Sequence, residues 1–329
     1  MTFIYSVYGV VVSLNVPLGA LEHLLVGRNP DLRIWFGIMP PWYRGIHEGS
    51  SEIMYASAEL NQTGEPNLKV FKIAGDTYFH FLYSDGTSVI VDREGTEIWT
   101  TWADTATIDD TATYILGPIL GFVLRLRGIT CLHGSSVVID GKAIALIGPQ
   151  GSGKSTTAAA FAKLGHPVLC EDVLALYKQG DSYIAQPGYP RVNLWPKSAE
   201  ALYGKTDALP FITPPWEKLY LDLTQDGYHF QKTPLPLAAV YFLGERKAGI
   251  GAPVFEEVTA TSALMSLIAN TYSNYLLDKK MRAREFEELS ELVKKVKIQQ
   301  LTADSDPAKL PQLCAAIIDD FQSIHQKSQ

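Results

Sequence analysis

Eight consecutive residues, Gly148-Pro149-Gln150-Gly151-Ser152-Gly153-Lys154-Ser155, carry the spacing G-x-x-x-x-G-K-[ST]. Glycines let backbone N–H groups curl around a phosphate, the lysine charge reaches the β- and γ-phosphates, and the next hydroxyl suits Mg²⁺. In that scheme Gly148, Gln150, Gly151, Ser152, Gly153, Lys154, Ser155 and Thr156 hold a nucleotide, with Ser155 a metal ligand. The pattern has this meaning only between a strand and a helix. Apolar runs at 137–140 and 142–147 read as strands, and 156–164 reads as a helix stopped by Gly165. The helix N-terminus adds its positive dipole end to the phosphate site. The expected ligands are ATP and Mg²⁺.

Phosphoryl transfer needs positioning, a metal and a base near the γ-phosphate. Glu171-Asp172 closes the apolar strand expected at 167–172, which follows the loop helix, and strand ends on that edge of an α/β sheet face the ligand crevice. One carboxylate would hold Mg²⁺ or its waters, and the other would accept a hydroxyl proton. Adjacent strand residues point to opposite sides, so both reach one ion only if the strand ends there. His133, just ahead of Gly134-Ser135-Ser136, is expected beside this strand, orienting or tuning the pair. Pro187-Gly188-Tyr189-Pro190-Arg191-Val192-Asn193-Leu194-Trp195-Pro196 is a stiffened segment that exposes Arg191. Arg191 is either a contact for the transferring phosphate or a surface arginine, and Lys218 is a weaker candidate of the same kind. Tyr189, Trp195, Trp216 and Tyr220 either wall a peptide site or pack an irregular loop. The histidines His23, His47, His80, His229 and His325 have no metal-ligand spacing.

These residues need elements to hold them. Residues 1–113 are rich in aromatics, β-branched residues and turn signals, and read as a small β-rich domain. Within it 77–83 and 87–91 form a hairpin around Ser84-Asp85-Gly86. Residues 5–12 read as one strand. Residues 114–329 read as an α/β phosphate-loop domain, opened by a helix over 114–127. Further strands are expected at 174–178, 183–186, 219–223 and 237–243, and helices at 262–275, 283–297 and 307–325.

Composition excludes several classes. The chain has 329 residues, 47% of them hydrophobic and 19% charged, which is globular. A net charge of -7 offers no basic excess for nucleic acid. Cys131, Cys170 and Cys314 are odd in number and widely spaced, as expected of buried thiols in a reducing compartment. The uncharged start lacks a basic n-region, and no run is long and apolar enough to span a bilayer. A cytoplasmic protein, without nucleic-acid or membrane partners, is the expectation. Self-association is left open.

Leu132-His133-Gly134 ahead of the loop, the loop through Thr156, and Leu164-Gly165-His166 followed by Glu171-Asp172 resemble the catalytic domain of HPr kinase/phosphorylase, the bacterial serine kinase. The resemblance covers roughly residues 130–175. It implies an ATP- and Mg²⁺-dependent serine kinase of that fold, with the base at Glu171 and Asp172 on the metal side. Family members carry two aspartates there, so Glu171 is a departure. The family's glycine-rich basic segment is not recognisable, so the resemblance does not extend to HPr as substrate. With its β-rich front and Pro-Arg…Leu-Trp-Pro segment, the whole chain looks like divergent relatives that modify ribosomal peptides, including kinases of lasso-peptide precursors. The expected partner is a peptide or protein with a serine hydroxyl. The alternatives are a small-molecule kinase and a nucleotide-gated module that binds a peptide without transfer.

Overall fold

The structure, a computed structural model, describes residues 2–24, 27–45, 51–213 and 217–326. His47 and Trp216 lie outside the described residues. Two compact units divide the chain, one of residues 1–129 with 273–281 and one of residues 130–272 with 282–329.

The first unit is built on β1 (Phe3–Val7), β2 (Val10–Leu14), β3 (Leu32–Phe36), β4 (Glu52–Ala56), β5 (Leu68–Ile73), β6 (Tyr78–Tyr83), β7 (Ser88–Asp92) and β8 (Glu97–Thr101). They form one sheet in the order β1-β2-β3-β8-β7-β6-β5-β4. The single strand expected at 5–12 is a hairpin. Tyr8 and Gly9 take φ of 53° and 80°, the left-handed pair that a two-residue turn between twisted strands requires. The hairpin around Asp85-Gly86 forms as expected, with Tyr78 opposite Asp92 and Leu82 opposite Ser88.

The helical stretch after residue 107 belongs to this unit. Thr107 and Asp110 make a reciprocal capping box at the start of α1 (Ile108–Tyr114). A single π turn carrying Pro118 joins it to α2 (Leu120–Leu126). Phe122 is fully buried, its ring set edge-on to Phe79 and Phe81 at centroid distances of 5.0 and 5.5 Å. The division therefore falls at 129/130, not at 113/114. Helical spacing shows an apolar face but not which sheet covers it.

In the second unit β9 (Thr130–Ile139), β10 (Lys142–Ile147), β12 (Val173–Gln179), β13 (Ser182–Ala185), β16 (Leu235–Leu243), β17 (Val254–Glu257) and β18 (Lys297–Thr302) form a mixed sheet. The order is β10-β9-β12-β13-β16-β18-β17, with β10 also parallel to β16 and β11 (Val168–Cys170) antiparallel to β9. β14 (Arg191–Leu194) and β15 (Leu219–Asp222) pair separately. Side chains alternate between two buried layers. Val137, Ile139, Ile144 and Leu146 pack with Phe161 of α3 (Lys154–Lys163) and with Ile317 and Phe321 of α7 (Leu310–Gln326). Val138, Ala143, Ala145 and Ile147 pack instead with Leu267 of α5 (Ala260–Ala269) and with Leu289 and Leu292 of α6 (Lys279–Lys295). Burial on both faces explains why these strands read as unbroken apolar runs. The architecture is mixed α/β. All three cysteines are buried thiols, and no described helix is long and apolar enough to cross a membrane.

Candidate active site

β9 brings the expected residues together. It pairs with β10 so that Gly134 lies opposite Ile147, and with β11 so that Ser136 lies opposite Cys170. The loop leaving Ile147 and the Glu171-Asp172 pair leaving Cys170 thus emerge side by side at the middle of β9. β12 returns along the same strand with Val173 opposite His133, placing His133 there too. Gly134 is required at this crossing, because a Cβ would collide with the Ile147 side chain and come within 2.9 Å of the Leu146 carbonyl oxygen.

The glycine loop runs from the end of β10 to the start of α3. Gly153 caps the helix with φ of 94°, and a Cβ there would strike the guanidinium of Arg246. Arg246 follows β16, whose parallel pairing with β10 carries its end to the loop, and its Nε donates to the Ser152 carbonyl at 3.4 Å. Lys154 is buried, and its ammonium donates to the carbonyls of Gly148 and Pro149 at 2.7 and 3.0 Å. Burial lowers its pKa, partly offset by Asp172 and Glu171. Those carboxylates are the counter-charge that lets a cation stay in so dry a place.

The carboxylates occupy different surroundings. Glu171 is 7% exposed, and the Ser155 hydroxyl donates to its Oε1 at 2.7 Å. Its Oε2 accepts from the Asn193 side chain at 3.3 Å and, more weakly, from the Asn193 backbone at 3.4 Å. Burial, helped by the Asp172 charge, raises the Glu171 pKa to about 7. Asp172 is more open, with 32% of its side chain exposed. Tyr272 donates its hydroxyl to Asp172 Oδ2 at 2.7 Å, and His133 Nε2 stands 3.7 Å from Oδ1. The His133 ring stacks on Tyr272 at 5.7 Å. Burial lowers the His133 pKa against the pull of Asp172.

Two adjacent residues share one cavity because the chain turns sharply between them. Asp172 has φ of 67°, and the Val173 N–H donates to the Glu171 carbonyl at 2.8 Å, closing a three-residue turn centred on Asp172. A left-handed aspartate is uncommon, and strain of this kind concentrates at functional sites. The sequence condition that the strand end here is met at Cys170.

A cavity of about 300 Å³ is lined by His133, Ser135, Gln150, Gly151, Gly153, Lys154, Ser155, Thr156, Glu171, Asp172, Asn193, Leu194, Trp195, Ser198 and Lys218. Gly148 and Ser152 do not line it. Arg191 does not line it, because its guanidinium lies over the Tyr220 ring at 4.1 Å. Tyr189 is buried and accepts a hydrogen bond from Asn193, so it packs the segment instead of walling a surface. Of the two carboxylates, the one that bonds to the Ser155 hydroxyl is Glu171. Asn193, Ser198, Tyr272 and Arg246 are additions. The charged pair Glu245-Arg246, one glycine beyond an apolar strand, was a readable sign for Arg246. Tyr272 lies one hundred residues from Asp172 and carries no such sign.

The donor set fits Mg²⁺ bound through a nucleotide. Among the described residues no cluster of three His, Cys, Asp or Glu side chains can hold an ion unaided. Ser155 and Glu171 instead present a pair of hard oxygens at the helix start, and Mg²⁺ is commonly held by one or two such groups plus phosphates. The Ser135 hydroxyl, buried on the cavity wall, has no hydrogen-bond partner among the described residues and offers one more polar oxygen.

No protein-family model matches the sequence, and no curated protein matches it. Among solved structures the chain is similar to the Hpr(Ser) kinase/phosphatase from Coxiella burnetii, with 12% identity over 60% of this chain and 98% of that one. The TM-score is 0.32, a distant likeness.

Proposed function

We propose that the chain is an ATP- and Mg²⁺-dependent kinase that transfers the γ-phosphate to a hydroxyl, namely a serine of a peptide or protein. One observation carries this reading: Lys154 and Ser155 open a helix behind a glycine loop, and the Ser155 hydroxyl bonds to a carboxylate whose neighbour faces the same cavity. Loop N–H groups and Lys154 would hold the phosphates, the lysine exchanging two loop carbonyls for phosphate oxygens. Mg²⁺, held by Ser155 and Glu171, would neutralise charge developing on the β- and γ-phosphates.

Asp172 is the base in this scheme, since both Glu171 oxygens are already engaged and Asp172 is the more open. The acceptor oxygen bonds to the γ-phosphorus while the bond from that phosphorus to the bridging oxygen breaks, releasing ADP. The hydroxyl proton passes to Asp172. Tyr272 and His133 fix the orientation of that carboxylate. These roles are the reverse of those implied by the resemblance, which supplies the serine acceptor.

The test is mass spectrometry of serine peptides, ribosomal-peptide precursors and small alcohols after incubation with γ-labelled ATP and Mg²⁺. Phosphoserine on a peptide supports the reading. Label only on small alcohols makes this a small-molecule kinase, and ATP-dependent peptide retention without label makes it a binding module. Absence of any nucleotide binding removes the proposal.

A further inference from the structure

On the reading just proposed, the bound polyphosphate has a direction. Loop N–H groups of this type cradle the α- and β-phosphates while the lysine reaches β and γ. The first turn of α3 separates two walls. Ser155 meets Glu171, with Asp172 and His133 beside it, whereas Thr156 Oγ1 stands 2.8 Å from Ser198 Oγ. The terminal phosphate belongs at the carboxylate wall, so the nucleoside leaves toward Thr156 and Ser198.

Trp195 stands at that second wall. It is a large aromatic left 50% exposed, and it lines the same cavity as the glycine loop. Its position is fixed by the backbone, because the carbonyl of Trp195 accepts from the N–H groups of Ser198 and Ala199 as α4 (Pro196–Tyr203) begins. Register continues the pairing of Leu194 with Leu219, bringing Lys218 across from it. The Lys218 ammonium lies 5.1 Å from the indole centroid. Among the described residues no carboxylate is within ion-pair distance of Lys218. Its charge reaches Glu171 across the cavity and offsets part of the rise in that carboxyl's pKa, but it makes no direct bond there, so the ammonium is placed to turn to an anion that arrives with the ligand.

We infer that Trp195 is the platform on which the nucleobase stacks, and that Lys218 leaves the indole for the polyphosphate when the nucleotide binds. Stacking on a flat aromatic is tolerant of base identity, since every base has a π-face. Purine nucleotides other than ATP should therefore bind comparably.

Calorimetric titration of the full chain with Mg²⁺-ATP and with Mg²⁺-tripolyphosphate tests this. Wild type should bind ATP more tightly than tripolyphosphate. Trp195→Ala should weaken ATP by about ten- to a hundredfold and leave tripolyphosphate unchanged, whereas Trp195→Tyr should retain most of the ATP affinity. Lys218→Met should weaken both ligands to a similar degree. Equal wild-type affinity for the two ligands overturns the platform while leaving the phosphate loop standing. So does a Trp195→Ala variant that loses both equally, or one that keeps ATP and raises only the acceptor KM. Failure of wild type to bind either ligand overturns the kinase reading and this inference with it.

Discussion

The Ser155 hydroxyl donates to Glu171 Oε1 across 2.7 Å, tying the first turn of α3 to the end of β11. That bond separates the roles of two carboxylates adjacent in sequence. Glu171 is turned toward the loop and Asp172 toward His133 and Tyr272. The turn at Asp172 makes the separation possible without moving either group out of the cavity.

The two amide variants should therefore fail differently. Asp172→Asn is expected to keep Mg²⁺-ATP affinity and lose about 10²–10⁴-fold in transfer rate. Glu171→Gln is expected to raise the Mg²⁺ concentration needed for half-maximal rate. His133→Ala should cost less, and its cost should shrink in the Asp172→Asn background because it acts through that carboxylate. Rates across a Mg²⁺ titration check all three, and identical Mg²⁺ profiles for both amide variants would contradict the assignment.

Glu171 also makes stability depend on pH. Its pKa rises from the ordinary 4.5 to about 7 in the folded protein, so the folded state holds this proton more tightly than the unfolded chain. The stabilisation is complete below the unfolded value and is lost as pH climbs through the folded one. His133, whose pKa is lowered by burial, works in the opposite direction as pH falls. The clean quantity is the difference between variant and parent. The Tm of Glu171→Gln minus that of wild type, without nucleotide, should grow from about pH 5 to about pH 8. A flat difference in scanning calorimetry would show that the carboxyl is not held in a dry site.

Lys154→Met should abolish nucleotide binding with little change in the unliganded Tm, because the cost of burying the ammonium offsets its bonds to two loop carbonyls and the pull of Asp172 and Glu171. Wild type at a hundredfold excess of ATP over its Kd should gain about 2.7 kcal/mol. Thermal shift with and without ATP compares the two. A Lys154→Met protein stabilised as much as wild type would remove the loop from the mechanism.

Gly153→Ala should destabilise the protein through two separate causes. The left-handed backbone costs a residue with a Cβ about 1–2 kcal/mol, and the new methyl meets the Arg246 guanidinium. Adding Arg246→Ala should recover the collision and leave the backbone cost. Denaturant midpoints of the two singles and the double separate these effects.

Phe122→Ala should cost about 3–5 kcal/mol, as for other buried aromatics, and the loss should fall on the first unit. Hydrogen exchange should speed up in β6 and β7 before it does in β10. Equal loss in both sheets would argue against the division at residue 129.

The sequence by itself determined the strand, glycine loop and helix, because their signals are local: residue type, period and spacing within a few turns of chain. It also supplied Glu171-Asp172 and His133 as candidates, and the hairpin at Asp85-Gly86. Local signals do not say what a face is packed against, so they do not assign the Phe122 helix to the first unit. Nor do they show the φ of 53° that makes a turn of Tyr8. Tertiary structure decided which carboxylate meets Ser155, moved Arg191 onto Tyr220, and delivered Tyr272 and Arg246 to the site. Each of those contacts joins side chains brought together only by strand pairing and packing, and a pattern of residue types carries no coordinate for such a meeting.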